Sequence, residues 1–210
     1  MTTFPEAGRP VRGGFVLLNP EDGTPMNTIP FQFNPDTLTR TLQPQGIGSE
    51  PGDRLEALRL KGPPHETYKF DAEFDATEHP ESYPDGLLPV LSALELTIYP
   101  TSVQLSNEDD LAGKGQLEIA PVEAPLLVLV LGPHRLVPVR ITDFSVTEEA
   151  FDTALSPIRA KVSVGVRVLT VDDLGYVHKG GRLYLGYQGQ KETLAKKAQR
   201  PIADVGLTTI

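Results

Sequence analysis

Three carboxylates alternate with other residues near the middle of the chain, at Asp71, Glu73 and Asp75. In a β-strand this spacing places all three side chains on one face. Carboxylates arranged in this way could hydrolyse a glycosidic bond or bind a hard cation. However, the spacing matches no calcium-binding loop, and the chain has no Trp to form a sugar-stacking platform. We therefore interpret this set, and the second acidic set at Glu108–Asp110, as solvated surface.

Other catalytic and metal-binding motifs each lack a residue that they require. The sequence His65-Glu66 begins like the zinc-protease motif, but Lys69 stands where the second His is needed. The segment Leu111–Gly115 is similar to a phosphate-binding loop, but Glu108 replaces its first Gly and Gly115 replaces its Ser or Thr. Thiolate chemistry is excluded because the chain has no Cys. We predict no catalytic residue, no cofactor and no metal, and hence a protein that is not an enzyme.

Composition favours a turn-rich β protein. The chain has 210 residues, of which 39% are hydrophobic, with 19 Gly and 20 Pro. This is enough for one domain with extensions, and it argues against a helical bundle. The longest apolar run, Pro125–Leu131, is too short to cross a membrane, and a net charge of −9 disfavours nucleic acid. We expect a soluble, cytoplasmic protein with neither membrane nor nucleic acid as a partner.

Alternating apolar residues predict most of the secondary structure. The clearest case is the strand Glu66–Asp75, where Tyr68, Phe70, Ala72 and Phe74 share one face. Pro30 places its strand at a sheet edge or at a bulge. The predicted strands are Gly14–Asn19, Asn27–Phe33, Leu38–Leu42, Glu66–Asp75, Ala124–Gly132, Arg135–Thr147 and Ile158–Val171. The clearest helix pattern lies at Gly86–Tyr99; an acidic loop is predicted over Leu105–Gly115 and a short strand or helical turn over Arg54–Leu60.

Charge and composition divide the chain into three parts. Residues 1–12 are predicted to be a flexible arm, residues 13–175 a β domain, and residues 176–210 a basic C-terminal extension with a short helix at Glu192–Gln199. From Glu66 to Glu123 there are 13 acidic and two basic residues, whereas Tyr176–Arg200 has six basic and one acidic. An acidic body with a basic tail favours stacking with copies or partners. We expect the tail to dock on a neighbouring subunit.

Two blocks of residues carry a resemblance to a known family. The first is FQFNPDTLTR at Phe31–Arg40, and the second includes PVRITDF at 138–144, EEAF at 148–151 and PIRA at 157–160. Together with the acidic strand Glu66–Asp75, these blocks resemble the tube-type domain of contractile injection systems, the phage-tail-like machines of bacteria. Within that family the chain is similar to the hub or tube-initiator proteins that lie between spike and inner tube.

The resemblance implies a mainly β fold, a split β-barrel with one flanking helix. It implies a structural subunit that joins copies of itself in a ring, a hexamer or a trimer, and that contacts the inner-tube, spike and baseplate proteins. The particle would assemble in the cytoplasm and could be released. Many relatives carry a peptidoglycan-binding LysM module after this domain, but Gly175–Ile210 is short for one and lacks its Trp, so we predict no glycan binding.

Candidate structural or interface residues come from the two blocks and from the basic tail. They are Phe31, Phe33, Asn34, Pro35, Arg40, Arg140, Phe144, Arg159, Lys179 and Arg182. Phe31 and Phe33 are expected to pack, and Asn34-Pro35 to turn the chain. Three alternatives stay open: a repeating inner-tube or terminal cap subunit of the same machine, a small-molecule or carbohydrate-binding β-barrel, and a hydrolase that uses the acidic strand.

Overall fold

A computed structural model describes residues 11–46, 59–78, 80–113, 124–207 and 209, and it is mainly β as predicted. The strands are β1 (Gly14–Leu18), β2 (Pro25–Pro30), β3 (Leu38–Gln43), β4 (His65–Asp75), β5 (Leu126–Val130), β6 (Leu136–Phe151) and β7 (Pro157–Val168). The helices are α1 (Leu88–Glu95), α2 (Ser102–Gly113), α3 (Val171–Leu174) and α4 (Lys179–Lys197), with short 3-10 turns at Pro80–Ser82 and Ile202–Val205.

The strands form one seven-stranded antiparallel sheet in the order β2-β1-β5-β6-β7-β4-β3. This sheet folds over on itself. Phe15 of β1 and Phe70 of β4 belong to strands four places apart, about 19 Å in a flat sheet, yet their ring centroids lie 6.3 Å apart. The fold occurs at β6, whose first residues up to Val139 pair with β5, while the rest of the strand, from Val139 to Phe151, pairs with β7.

The core fills the space between the two halves of the folded sheet. Phe31, which follows β2, lies with its ring centroid 5.4 Å from Phe15 and 5.4 Å from Phe70. The valines on one face of β7 pack with them, as do Leu87, Leu91 and Leu94 beside and within α1. After Phe31, the Gln32 side chain donates to Asp75 O at 2.6 Å and accepts from Asp75 N at 2.7 Å. The segment leaving β2 is therefore attached to the end of β4.

Most of the predicted strands and helices are confirmed, and their observed ends differ from the predicted ends by a few residues. The pair β1–β2 is a hairpin and β2 lies at an edge of the sheet, as Pro30 indicated. The predicted helix is present as α1, shorter than the apolar pattern suggested. Of the predicted strand or turn over Arg54–Leu60, the part up to residue 58 lies outside the described residues.

Two segments differ from expectation. The predicted acidic loop over Leu105–Gly115 is helical as far as Gly113, within α2. The predicted short helix at Glu192–Gln199 is the end of the 19-residue α4. The first part of α4 was not predicted as helix because α4 contains four glycines. Each glycine lowers the stability of a helix by roughly 1 kcal/mol. Packing overrides that cost, because α4 buries Tyr184 and Tyr187 against the core of its own chain.

The two phenylalanines of the first block have opposite environments. Phe31 is fully buried, as expected, whereas the expectation that Phe33 also packs is wrong, since 47% of it is exposed. The chain turns at Asn34-Pro35 between these residues and β3, so the side chain of Phe33 points away from the core.

We expect Phe31→Ala to lower the free energy of unfolding by about 3–5 kcal/mol, because it removes a ring from a close-packed core. Phe33→Ala is the matched control and should change it by no more than about 1 kcal/mol. Urea unfolding of both variants measures the difference. Equal losses from the two substitutions would contradict the assigned core.

Candidate functional site

A buried carboxylate lies where α4 meets the sheet. Glu66 is only 2% exposed and lies on the same face of β4 as Tyr68, because the two residues are two positions apart in a strand. Its Oε1 accepts hydrogen bonds from the hydroxyls of Tyr68 and Tyr187, each at 2.7 Å, and these hydroxyls lie 2.6 Å from one another. A carboxylate is thus connected directly to both a strand and a helix.

Two cations neutralise this carboxylate. Lys191 Nζ donates to the second oxygen, Oε2, at 2.8 Å, and Arg40 Nε of β3 lies 3.8 Å from Oε1. Lys191 Nζ also lies 4.0 Å from the centroid of the Tyr187 ring, a cation–π contact. We call Arg40, Glu66, Tyr68, Tyr187 and Lys191 the Glu66 cluster.

Burial and hydrogen bonding oppose each other in setting the pKa of Glu66. Burial raises it, but the hydrogen bonds from Lys191, Tyr187 and Tyr68 outweigh burial, and the pKa is lowered from its usual value. Burial raises the pKa of both tyrosines, and for Tyr187 the hydrogen bonds to Tyr68 and Glu66 raise it further. Near neutral pH the cluster therefore contains an ionised carboxylate and two neutral hydroxyls.

The Glu66 cluster holds protein elements together. Both carboxylate oxygens are engaged by donors of the chain itself, so a substrate would have to displace a strand or a helix to reach them. Its five side chains come from β3, β4 and α4. The arrangement therefore serves to attach α4 across one end of the folded sheet.

The carboxylates of the acidic strand pair with cations of β7. Lys161 Nζ lies 2.9 Å from Asp71 and 4.0 Å from Glu73, and Arg159 Nε lies 3.0 Å from Asp75. Hydrogen bonds from Ser163 and Lys161 lower the pKa of Asp71, and those from Thr77 and Arg159 lower the pKa of Asp75. Within the described residues, no group of three or more acidic or His side chains is placed to hold a metal ion.

These ion pairs belong to a polar sheet face, which consists of the outward side chains of β3, β4, β7 and β6. Its charged and hydroxyl residues are Thr39, Thr41, Thr67, Lys69, Asp71, Glu73, Asp75, Arg159, Lys161, Ser163, Arg167, Arg140, Asp143, Ser145 and Thr147. The opposite face of β4 and β7 is apolar core, apart from Glu66 at the start of β4. One side of the molecule thus presents a broad hydrophilic sheet surface.

Among the strands that the structure describes, two that border this face have a hydrogen-bonding edge without a partner strand. β3 is the last strand of the sheet. The ladder between β5 and β6 ends at Val139, so the remainder of β6, Arg140–Phe151, is paired only with β7 among the described strands. Backbone N–H and C=O groups at such edges can pair with another chain.

Residues of the first sequence block fix the start of the domain and join the Glu66 cluster. Asn34 Oδ1 accepts from Gly13 N at 2.8 Å, and Asn34 Nδ2 donates to Val11 O at 3.0 Å. Pro35 lines a small surface depression with Val11. Arg40 belongs to the Glu66 cluster, where Glu66 and both tyrosines raise its pKa although burial alone would lower it.

The remaining predicted residues are scattered over the fold. Arg140 lies exposed opposite Arg167, while Arg159 pairs with Asp75. Phe144 is half-buried against the core. Lys179 is the first residue of α4, and its methylenes lie beside the turn at Gly23. Arg182 donates to Val177 O at 3.1 and 2.9 Å from its two nitrogens. Apart from Arg40, none of these residues belongs to the Glu66 cluster.

Sequence reasoning missed most of the Glu66 cluster, although two signals could have found it. The alternation that placed Tyr68 and Phe70 inside also places Glu66 inside. In α4, Tyr184, Tyr187 and Lys191 follow the helical spacing of one face. A buried charge needs a partner. The buried position of Glu66 therefore predicts a nearby cation, and the helix face that carries Lys191 can supply it.

No model of a known protein family matches this chain, and no curated protein sequence is significantly similar to it. In the described part of the chain, no helix is long and apolar enough to span a bilayer.

We expect Glu66→Gln to lower the free energy of unfolding by roughly 2–4 kcal/mol at pH 7, because Lys191 loses its charged acceptor in a buried site. Glu73→Gln on the exposed face is the matched control and should cost less than about 0.5 kcal/mol. Urea unfolding followed by circular dichroism measures both. A Glu66→Gln variant as stable as the control would contradict the attaching role of this cluster.

The lowered pKa of Glu66 gives this contribution a defined pH dependence. A carboxylate with a depressed folded-state pKa stabilises the fold above its unfolded-state pKa of about 4.3 and loses that contribution as pH falls through the folded-state pKa. The stability difference between wild type and Glu66→Gln should therefore be constant from pH 6 to 8 and shrink below about pH 4.3. A difference that grows on acidification would contradict the assignment.

Proposed function

We propose that this protein is a structural subunit of a contractile injection system, which forms a ring joining the spike and baseplate hub to the inner tube. The resemblance of the Phe31–Arg40 and 138–160 blocks suggests the family. The observation that carries the proposal is the polar sheet face of β3, β4, β7 and β6, bordered by two free strand edges.

The free edges support ring formation because their directions are compatible. β6, β7, β4 and β3 are successive antiparallel neighbours, so β3 runs opposite to β6 within one subunit. Rotation about an axis parallel to the strands preserves these directions. β3 of one subunit would therefore meet β6 of the next as an antiparallel pair. A heterologous contact of this kind closes into a ring at a suitable rotation angle and removes the exposed edges.

The polar sheet face supports a channel wall. In a ring joined through β3 and β6, the four-stranded segments would continue from one subunit to the next as a single sheet. One face of that sheet would be the hydrophilic surface with its Asp71–Lys161 and Asp75–Arg159 ion pairs. The apolar face would stay buried under β1, β2, β5 and α1. The hydrophilic face would then line a water-filled channel, and the apolar core would form its wall, as in the split β-barrel expected for the family.

The partners proposed are further copies in a hexamer or trimer, the inner-tube protein above and the spike and baseplate proteins below. The role proposed is structural, without a catalytic step. A repeating inner-tube subunit would show the same ring, and copy number separates the two: one ring in each particle for the hub, many for the tube.

We expect charges on the β3 edge to prevent ring formation. The double variant Thr39→Glu/Thr41→Glu would place two carboxylates opposite the free part of β6, which carries Asp143, Glu148 and Glu149. Like charges across strands are destabilising. Electron microscopy and mass photometry should show rings for wild type and folded monomers for the variant.

Thr28→Glu on the edge strand β2 is the matched control, because it adds a charge to the opposite end of the sheet. This control should form rings like wild type. Wild-type protein that forms no ring, alone or with the products of neighbouring genes, would contradict the proposal, as would rings in the double variant.

A further inference from the structure

β3 and the edge of β6 that lacks a partner strand match each other in length. β3 has six residues, Leu38–Gln43. The ladder between β6 and β7 shifts register just before Asp143 and just after Glu148, so the regular stretch of β6 between these shifts also has six residues. A bulge disrupts strand pairing and bends the strand that carries it. Along the β6 edge that the structure describes, Asp143–Glu148 is therefore the stretch where another strand can pair without interruption.

The core side of β3 is only partly covered by its own subunit. Leu38, Arg40 and Leu42 lie opposite buried residues of β4, so they are on the core side of the strand. Leu42 is 41% exposed, and the Arg40 side chain is 40% exposed although its Nε lies 3.8 Å from Glu66. An apolar and a cationic side chain thus lie beside the edge where a partner strand would pair.

The regular stretch of β6 has the same two faces. Phe144, Val146 and Glu148 lie opposite buried residues of β7 and are therefore on the core side. Phe144 and Val146 are half-buried against the core, whereas Glu148 is exposed. The polar sheet face receives the other three residues, Asp143, Ser145 and Thr147. The core side of this edge thus offers two apolar side chains and a carboxylate, which complement the leucines and the arginine of β3.

Two conditions define one register for an antiparallel contact between these edges. A slip of one residue reverses the face of every side chain, so core-side residues must meet core-side residues. A slip of two or more residues places one end of β3 on a bulge of β6. In the remaining register Leu38 lies opposite Glu148, and Gln43 lies opposite Asp143.

We infer that β3 of one subunit pairs with β6 of the next in this register, so that Leu42 packs against Phe144 across the subunit boundary. Arg40 then lies opposite Val146 and diagonal to Glu148, and a diagonal separation of about 7–8 Å is within reach of long side chains. This inference rests on the ring proposed above, and it adds the residues that select the contact.

The polar side of this contact is complementary as well. Thr39 lies opposite Thr147 and Thr41 lies opposite Ser145, and hydroxyl pairs of this kind stabilise cross-strand contacts. None of the six opposite pairs brings two like charges together. The polar sheet face would therefore continue across the subunit boundary without a charge conflict.

Arg40 connects this contact to the Glu66 cluster. Its guanidinium lies near Glu66 of its own subunit and, in the ring, within reach of Glu148 of the neighbouring subunit. Opposite charges across a contact favour the correct register and disfavour wrong partners. One cation at the edge of β3 thus contributes both to the packing of α4 and to the choice of partner strand.

Engineered disulfides test the register, because the chain has no Cys of its own. In the double variant Thr41→Cys/Ser145→Cys, β4 and β7 separate the two positions within one subunit, so a disulfide must join two subunits. Opposite Cα atoms of an antiparallel pair are about 4.5–5.5 Å apart, within the range of about 4.4–6.8 Å that a disulfide requires. A mild oxidant should therefore give a ladder of covalent oligomers that ends at the ring size, measured by non-reducing gel electrophoresis.

Thr41→Cys/Thr147→Cys is the matched control, because one of its thiols is moved by two positions along the same strand. Its thiols lie diagonally, at a Cα separation of about 7–8 Å, and should give at least about tenfold less covalent oligomer. As much or more cross-linking in this control would overturn the register. Rings in electron microscopy without cross-linking in either variant would overturn the strand contact and leave the proposed ring intact, whereas the absence of both rings and cross-links would contradict both proposals.

Discussion

The architecture depends on one strand serving two layers. β6 is long enough to pair with β5 at its start, up to Val139, and with β7 from Val139 to its end, and the sheet folds over between these two pairings. The fold brings Phe15 and Phe31 onto Phe70. Irregularities in the β6–β7 ladder, at Ile141–Asp143 and again near Glu148, are the bulges that let a strand bend in this way. Without that bend, neither half of the sheet would cover the apolar face of the other.

The Glu66 cluster places a buried charge where α4 packs against the sheet, and this charge helps to fix the position of the helix. α4 contains four glycines and has little intrinsic stability as a helix. Gly180 and Gly181 are explained by close packing, since a Cβ on Gly181 would lie 1.9 Å from Gly175 O. The helix therefore depends on its docked face, where Tyr187 and Lys191 reach Glu66. A buried ion pair adds little stability over apolar packing, but it penalises every orientation of α4 that leaves Glu66 unpaired.

The sequence predicted the strands well because their alternation is local. Tyr68, Phe70, Ala72 and Phe74 alternate regardless of what covers them, and Pro30 marks an edge for a reason confined to its own residue. The contacts of α4 could not be predicted in the same way, because its glycines oppose helix formation until the sheet is present. Phe33 shows the limit of the alternation rule: it stands two positions from Phe31, but the strand has already ended at Pro30. Arg40 is predicted to be a structural or interface residue, but its proximity to Glu66, 26 positions later in the chain, depends on the pairing of β3 with β4 and so could not be predicted.

The pairing of β1 with β5 has a consequence for how the chain folds during synthesis. Gly14–Leu18 lies more than a hundred residues before its partner Leu126–Val130, so one side of the N-terminal hairpin has no partner until the chain has been made that far. Long-range pairings of this kind slow folding. During that interval Phe15 and Ile29 belong to a two-stranded ribbon, which is marginally stable by itself and exposes an edge that can pair with other chains. Holding such nascent chains apart until β5 emerges is a requirement that the topology places on the cell.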